Sequence, residues 1–562
     1  MKRTALSLIL AYILSGVTAQ VAPGMYFIEF RNKNGNPYSL DRPEEFLSAR
    51  ALQRRQNQWI GYDSADLPIT PSYISGIQAL GVTVLATTKW LNGVIVNLPD
   101  TSLLDTILNL PYVKGTILYS GPFLMRGGER DKFTSEAASF EEVDEMPMPV
   151  LSSLASGYNY GASFTQIHMV NGDLLHQQGF RGEGRVIAVL DAGFQNADIL
   201  SVFDSLRMNN QILGTRDFVK PGNNVYKEHP HGTEVLSIIG GNIPGKLVGT
   251  APRASFWLFR TEETGSEYII GEFNWVAAAE VADSAGADVI TSSLGYTVFN
   301  DPRQDHTCAD MNGYTTPVSR GANVAATKGI IVTSSAGNSG GTSWRCISSP
   351  ADALGAMGIG AVDSLGHYAG FSSLGEVSTR VKPNVVAQGE KTVLAAPDGA
   401  ILRGSGTSFS APIIAGMMAC LSQAVPTATN YNLIRATELS ASQASNPDSL
   451  IGYGIPDFSR AISLVGVNAR IPSGSSVSIV PNPFTDHFSL RIIAEKEGSY
   501  TLTLFDQVGR IIIPAMKIQV RAGENRIPIS DPSFENLDPG FYLLRIHGNE
   551  ISSGHAVVKK AK

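Results

Sequence analysis

The chain has 562 residues, of which 43% are hydrophobic and 17% are charged, and its formal net charge at pH 7 is −7. This composition is that of an ordinary globular protein, which excludes a disordered or fibrous chain, and the length is too great for one hydrophobic core. The negative charge argues against nucleic acid, and against an anionic membrane surface, as the main partner.

The amino terminus has the three parts of a secretory signal peptide. Lys2 and Arg3 precede the apolar run 5–17, and Val17-Thr18-Ala19 provides the small residues of a cleavage site. The apolar run is too short to span a bilayer comfortably. We therefore predict a signal peptide over residues 1–19 and an exported protein, with a buried helix as the alternative.

Residues 20–125 are predicted to form a small α+β domain. The runs that resemble strands lie at 25–30, 82–85 and 94–98, and helical patterns lie at 43–56 and 102–108.

An acidic linker is predicted over residues 126–157. The stretch is polar, contains proline, and includes the run Glu141-Glu142-Val143-Asp144-Glu145. Such a composition predicts an exposed segment that is open to proteolytic cleavage.

Apolar strands alternate with helical stretches over residues 158–465. The strands are predicted at 185–190, 288–291 and 329–333, and the helices at 272–285 and 411–425. This pattern predicts an α/β domain whose mostly parallel sheet is covered by helices on both faces.

The last part of the chain is predicted to be a small all-β sandwich. Residues 466–478 form a second linker, and alternating strands follow over 479–562, at 488–492, 500–505 and 540–546.

The chain contains three cysteines. Cys308 and Cys346 lie in polar, loop-like segments, and in an exported protein they can pair as a disulfide. Cys420 falls inside the apolar helical stretch and is predicted to be a small buried residue. The cysteines and histidines have no zinc-site spacing, so we predict no metal site from them.

Four polar residues lie at the ends of predicted elements. Asp191 and Asn338 follow apolar strands, His231 begins a helix, and Ser408 precedes the helix at 411–425. Open α/β sheets place their sites at the carboxyl ends of the strands. Pro412 is predicted to fall in the first helical turn, where proline is tolerated. For Ser408 alone, a serine that caps a core helix is the alternative.

Together these side chains have the chemistry of a serine hydrolase. A serine hydroxyl becomes a nucleophile when a neutral histidine removes its proton, and a buried carboxylate stabilises the imidazolium that forms. The Asn338 amide and the backbone N–H of Ser408 are suitable donors to the oxyanion of a tetrahedral intermediate.

The motifs around these residues resemble those of the subtilisin-like serine peptidases (subtilases) over roughly residues 165–460. The matching motifs are Val189-Leu190-Asp191-Ala192-Gly193, His231-Gly232-Thr233, Ala336-Gly337-Asn338-Ser339-Gly340 and Gly406-Thr407-Ser408-Phe409-Ser410-Ala411-Pro412. The resemblance implies a subtilisin-like fold and a secreted endopeptidase that works through an acyl-enzyme. It also implies that Asp191, His231 and Ser408 are the triad and that Asn338 is the oxyanion donor.

The same resemblance implies a substrate pocket with two walls. One wall is Ser293, Leu294 and Gly295, the other is Ser335, Ala336 and Gly337, and an extended substrate would pair between them as a strand. One residue departs from the family pattern, because Glu234 stands where many subtilases have a second histidine. Either it alters the field near His231 or it is a solvated acid.

The flanking domains extend the resemblance. Residues 20–125 are similar to the inhibitory, folding-assisting propeptides of Bacteroidetes subtilases, with a permanent accessory domain as the alternative. Residues 479–562 resemble the sorting domain read by the type IX secretion system, with a carbohydrate-binding or adhesive module as the alternative. These resemblances imply secretion or display at the cell surface after passage through the periplasm.

The expected partners are protein or peptide substrates, the chain's own propeptide as inhibitor, and the type IX secretion machinery, with no nucleic acid. The chemistry requires no cofactor, whereas structural calcium, which subtilases often bind, is left open. Two other functions are retained. One is a catalytically silent surface binding protein on the same fold, and the other is a transpeptidase or cyclase.

Overall fold

The computed structural model describes residues 20–117, 132–143, 158–375, 380–469, 476–480, 484–494, 497–506, 511–521, 523–538, 540–548 and 552–559. The predicted signal peptide and the linker residues 126–131, 144–157 and 470–475 lie outside these ranges. The chain divides into two compact units, one that ends at Val465 and one that begins at Gly466.

The first domain is an antiparallel sheet with three helices. Its strands are β1 (Gln20–Ala22), β2 (Met25–Phe30), β3 (Thr83–Thr88), β4 (Gly93–Asn97) and β5 (Val113–Thr116), in the order β1-β2-β4-β3 with β5 beside β2. Its helices are α1 (Ala49–Asn57), α2 (Pro71–Gln78) and α3 (Leu104–Leu108).

Strand β2 shows how the two-residue side-chain period divides this sheet between two cores. Tyr26 and Ile28 pack in the domain's own core, whereas Phe27 points the other way and packs 4.6 Å from the ring of Phe273 in the following domain. The first domain therefore has a core of its own and also contributes to a shared one.

The central domain is built on seven parallel strands. In chain order they are β7 (Val186–Asp191), β8 (Ile212–Asp217), β11 (Ser255–Arg260), β12 (Val289–Ser292), β13 (Ile331–Ser335), β14 (Ala356–Val362) and β15 (Val385–Gln388). Their spatial order is β15-β14-β13-β12-β7-β11-β8. Strands β7 and β12 to β15 are buried along their whole length, as expected of a parallel sheet with two covered faces.

Helices cover both faces of this sheet. Helices α8 (His231–Gly240) and α11 (Thr407–Ala424) pack on one face, and α9 (Ile270–Ala285) and α10 (Pro317–Thr327) pack on the other. The remaining helices are α5 (Phe164–His168), α6 (Gly172–Gln177), α7 (Asp204–Met208), α12 (Asn430–Ser440) and α13 (Phe458–Ala469). The predicted α/β architecture is therefore confirmed.

Short elements complete this unit. They are helix α4 (Thr134–Ala137) and the strands β6 (Glu141–Glu142), β9 (Asn242–Ile243), β10 (Leu247–Val248), β16 (Thr392–Ala395) and β17 (Ile401–Gly404). Strand β17 pairs with both β16 and β6.

The first domain docks on the carboxyl end of α9. The Arg54 guanidinium lies 2.5 Å from Asp283 Oδ1, and Arg55 bonds the other oxygen of the same carboxylate at 3.0 Å. Glu280, one turn earlier, accepts hydrogen bonds from Thr88 Oγ1 and from the N–H groups of Lys89 and Trp90. Cations at a helix carboxyl end also complement the helix dipole.

The cysteines have the predicted arrangement. Cys308 and Cys346 form a disulfide with a Cα–Cα distance of 5.9 Å, and Cys420 is a free, buried thiol in α11.

The carboxyl-terminal unit is two antiparallel sheets around one core. The strands are β18 (Ser476–Val480), β19 (His487–Ala494), β20 (Gly498–Phe505), β21 (Ile511–Val520), β22 (Gly523–Ser530), β23 (Gly540–Gly548) and β24 (Ser552–Lys559). The sheet orders are β18-β19-β22 and β21-β20-β23-β24, and their shared core includes Phe488, Leu490, Tyr500 and Leu544. The predicted all-β sandwich is confirmed. Within the described parts of the chain, no helix combines the length and the apolar character that crossing a bilayer requires.

Candidate active site

A buried carboxylate–imidazole pair lies at the carboxyl edge of the parallel sheet. Asp191 is the last residue of β7 and His231 is the first residue of α8. The Nδ1 atom of His231 lies 2.8 Å from Asp191 Oδ1, which also accepts the N–H of Ala192 at 2.7 Å. Both side chains are almost fully buried. The carboxylate therefore fixes the orientation of the imidazole.

Ser408 is the second residue of α11, so the helix begins earlier than predicted. Pro412 is consequently the sixth helical residue, and the prediction that it falls in the first turn is wrong. A proline at this position cannot donate to the carbonyl oxygen four residues before it, which is that of Ser408. The hydroxyl of Ser293 donates to that oxygen instead at 2.8 Å, while Ser408 Oγ lies 3.4 Å from the Ser293 carbonyl oxygen.

Asn338 is held with its amide nitrogen toward the same edge. Its Oδ1 accepts the backbone N–H and the hydroxyl of Thr407, both at 2.8 Å. The N–H of Gly337 donates to the same Thr407 hydroxyl at 3.1 Å. These bonds occupy the carbonyl side of the amide and leave Nδ2 as a donor beside the start of α11.

The six predicted pocket residues lie on two neighbouring strand ends. Ser293, Leu294 and Gly295 follow β12, and Ser335, Ala336 and Gly337 end or follow β13, with Ser292 paired to Ser334.

The glycine on each side of this pocket is needed for space. A Cβ on Gly295 or on Gly337 would come within about 3 Å of Ser348 Oγ, and Gly337 also has a φ of +105°. Side chains larger than hydrogen would therefore strain both walls.

A segment that was predicted to be an exposed linker lies across these residues. We call residues 132–143 the active-site segment. Glu136 bonds to His231 Nε2 at 3.0 Å through one carboxylate oxygen and to Asn338 Nδ2 at 2.5 Å through the other. Its Oε1 is so close to the Cα of Gly406 that a Cβ there would collide with it. The Phe133 ring lies 4.0 Å from the ring of His231.

The rest of the active-site segment lies alongside β17. The N–H of Ser405 donates to Ser139 Oγ at 2.8 Å, and Glu141 and Glu142 form β6 against Arg403 and Leu402.

The predicted exposure of the linker is therefore wrong at Phe133 and Glu136, although Thr134 between them is exposed. Phe133 and Glu136 are 4% and 3% exposed, whereas Glu141 and Glu142 are exposed as predicted. The reason is tertiary, because buried partners distant in the chain satisfy the Glu136 carboxylate.

The bound carboxylate changes the protonation of the site. Burial alone would disfavour the charged imidazole, but the carboxylates of Asp191 and Glu136 outweigh it and raise the pKa of His231 well above its ordinary value. This shift favours the imidazolium form, which cannot accept a proton from Ser408.

Glu234 is not a solvated acid. It is 5% exposed, and burial raises its pKa to about 7, with His231 acting in the opposite direction and Glu136 and Asp191 in the same one. Of the two interpretations of this residue, the one in which it affects the field of the site is favoured.

Four residues important at this edge were not found from the sequence: Lys132, Glu136, Glu262 and Glu267. The available signal was the pair of aromatic residues Phe133 and Phe140 in an otherwise polar stretch, which indicates packing. Among the described residues, no group of three or more His, Cys, Asp and Glu side chains is placed to hold a metal ion.

Comparisons with known proteins divide the chain into the same three parts. Residues 182–454 match the model of the subtilase family, residues 25–127 match the peptidase S8 propeptide domain of Bacteroidota, and residues 478–560 match the secretion system C-terminal sorting domain. These spans overlap the predicted domains 20–125, 158–465 and 479–562, whose end points stay predictions.

Individual relatives match about half of this chain. Subtilisin NAT of Bacillus subtilis subsp. natto is 29% identical over 285 residues, which are 50% of this chain and 66% of the relative. Thermitase of Thermoactinomyces vulgaris is 28% identical over 255 residues, which are 44% of this chain and 78% of the relative. The chain thus spans just under two thirds of the length of the first of these relatives.

Among solved structures, the prenylagaramide maturation protease PagA is 22% identical with a TM-score of 0.42, and the match covers 52% of this chain and 98% of that one.

The sorting domain determines where the protein goes. A domain of this type directs its chain to the type IX secretion system, so this is a secreted or cell-surface protein. The chain therefore contains a subtilase domain, which lies between a Bacteroidota-type propeptide domain and a carboxyl-terminal sorting domain.

Proposed function

We propose that the chain is a secreted serine endopeptidase that hydrolyses peptide bonds in proteins through an acyl-enzyme intermediate. The observation that carries this proposal is the buried Asp191–His231 pair at the sheet edge that also holds Ser408 and Asn338.

Each residue has one role in the proposed reaction. Ser408 Oγ attacks the carbonyl carbon of the scissile bond, and its proton passes to His231 Nε2 while Asp191 stabilises the imidazolium. The oxyanion accepts hydrogen bonds from Asn338 Nδ2 and the backbone N–H of Ser408. The imidazolium then protonates the leaving amine, and water releases the acyl group by the same steps. These steps require no cofactor.

The active-site segment is proposed to keep the enzyme latent. Glu136 occupies both the base nitrogen of His231 and the oxyanion donor of Asn338, so a substrate carbonyl cannot reach either group. The propeptide domain precedes this segment and docks on α9, which gives the chain its own inhibitor. Removal of the segment would free His231 and Asn338 together.

Substitution of Glu136 is expected to weaken this latency. Glu136→Gln removes the charge that favours the imidazolium, so the pKa of His231 falls and the segment is held less tightly. Breaking a buried ion pair typically costs about 3–5 kcal/mol, and each 1.4 kcal/mol or so is a factor of ten, so we expect the full-length chain to react with a fluorophosphonate at least roughly tenfold faster.

The matched control for this change is Glu142→Gln. Glu142 lies in the same segment, on β6, and is exposed. Its substitution is expected to leave the labelling rate unchanged. Equal labelling rates for Glu136→Gln and the wild type would show that Glu136 does not contribute to inhibition.

The proposed function is tested by labelling the processed protein with a fluorophosphonate and mapping the adduct by peptide mass. We expect a single adduct on Ser408 and, with a peptide substrate, hydrolysed products only. A processed protein without an adduct would favour a silent binding protein on this fold. Products joined to an added amine in preference to water would favour a transpeptidase or cyclase.

A further inference from the structure

The active-site segment places a partly buried lysine in an acidic pocket. Lys132 Nζ lies 2.8 Å from Glu262 Oε2 and 3.1 Å from Glu267 Oε1, and it lies 4.6 Å from the centre of the Tyr296 ring. Two charge-assisted bonds and an aromatic face together satisfy its ammonium group.

The pocket adjoins the candidate substrate walls. Glu262 lies two residues beyond the end of β11, and Tyr296 directly follows Gly295 of the first wall. Strands β11 and β12 flank β7, which ends at Asp191. The acidic pocket is therefore on the same sheet edge as the nucleophile and its base.

The direction of the segment relates the pocket to the reacting groups. After Lys132, Phe133 contacts the ring of His231 and Glu136 bonds to His231 and Asn338. The chain then forms β6, which pairs with β17. A substrate that crosses the site in this direction would place a side chain in the pocket before its scissile bond. Glu136 is four residues beyond Lys132. Extended residues advance about 3.3 Å each and helical ones about 1.5 Å, so an extended substrate needs about two to four residues to cover the same length. The basic side chain would therefore be about two to four residues before the scissile bond.

The pocket is built for a cation. Glu262 and Glu267 are 2% and 8% exposed, and the hydroxyl of Tyr296 donates to the free oxygen of Glu262 and fixes that carboxylate. Burial raises the pKa of Glu267 to about 7, while Lys132 acts to lower it. Two adjacent buried carboxylates are unfavourable without a positive charge between them.

There is space beside the pair for a longer side chain. A cavity of about 440 Å³ is lined by Glu262 and Glu267 together with propeptide residues that include Ala22, Leu85 and Ile95. Departure of the propeptide would open this cavity, so that arginine as well as lysine could enter.

We infer that Glu262 and Glu267 form a substrate subsite for a lysine or arginine side chain on the amino-terminal side of the cleaved bond. The inference rests on the proposed endopeptidase function and adds a substrate class to it. Lys132 occupies this subsite in the latent chain in the way that a substrate's basic residue would occupy it in the processed enzyme.

The test measures the cleavage of a peptide series by the processed enzyme, which is prepared from the full-length chain. The series places Lys, Arg, Leu or Glu in turn at the second, third and fourth residues before one fixed scissile bond. At one of these positions we expect Lys and Arg peptides to have a kcat/KM about 10- to 100-fold above that of the Leu peptide, and the Glu peptide to be the poorest substrate.

Variants then assign the preference to the pocket. E262Q and E267Q are expected to reduce kcat/KM for the Lys peptide by about tenfold or more and to leave the Leu peptide nearly unchanged, which also shows that they fold. The control is E263Q, because the neighbouring Glu263 is only partly buried and pairs with Lys220 and Arg260.

Three outcomes separate this inference from the proposed function. Cleavage of all peptides without a basic preference at any of the three positions would overturn the subsite and leave the endopeptidase intact. A basic preference that E262Q and E267Q do not change would also overturn it. If the wild type cuts no peptide, the endopeptidase proposal fails and the subsite fails with it. If the variants do not fold, the peptide preference of the wild-type enzyme alone decides whether the subsite exists.

Discussion

Replacement of Ser408 with alanine is expected to lower kcat for peptide hydrolysis by about 10⁶-fold. In the proposed mechanism its Oγ forms the bond to the substrate carbonyl carbon, and alanine has no atom that can do so. The backbone of α11 should be unaffected, because the Ser408 carbonyl oxygen still accepts the hydroxyl of Ser293. The variant chain should also keep its propeptide if processing is autocatalytic.

The control for this variant is Ser410→Ala. Ser410 is also buried in the first turns of α11, where its hydroxyl donates to the Thr407 carbonyl oxygen at 3.0 Å. Its substitution should change kcat by less than tenfold. Hydrolysis by Ser408→Ala at a rate near that of the wild type would rule out Ser408 as the nucleophile.

Asn338→Ala is expected to lower kcat by about 10²- to 10³-fold and to change KM little. Removal of one oxyanion donor costs about 3–4 kcal/mol in the transition state, whereas the ground-state carbonyl interacts with that donor only weakly. The measurement is made with a peptide substrate on protein whose linker has been cut by an added protease, so that slow self-processing does not affect the result.

Ser339→Ala is the matched control for Asn338. Ser339 is the next residue of the same loop, and its backbone N–H bonds to Ser373 Oγ whatever its side chain. The Ser339→Ala variant should keep kcat within a few-fold of the wild-type value. A rise in KM with unchanged kcat for Asn338→Ala would instead indicate that Asn338 binds the ground state and does not stabilise the oxyanion.

The position of the site was predictable because it follows from the pattern of the strands. Apolar runs that end in a polar residue placed Asp191 and Asn338 at the carboxyl edge of a parallel sheet, and the structure puts both there. The pairing of β12 with β13 brings the two predicted pocket walls together. Such arrangements depend mainly on local periodicity and on the topology of parallel sheets.

The active-site segment was not predictable in the same way. Its composition is polar, and its burial depends on partners that are far away in the sequence, such as His231 and Asn338 for Glu136 and Glu262 for Lys132. Composition describes the average environment of a segment and does not identify distant partners. The error in the position of Pro412 has a local cause, since the small residues before it gave no clear helix start.

Release of acid-soluble peptides from casein by the purified chain, with intact masses recorded over time, tests the account most directly. We expect the wild type to lose its propeptide and active-site segment and then to degrade casein, while Ser408→Ala keeps both and remains inactive. A wild-type protein that stays inactive after an added protease has cut between residues 143 and 158 and the segment has been washed away would contradict the account.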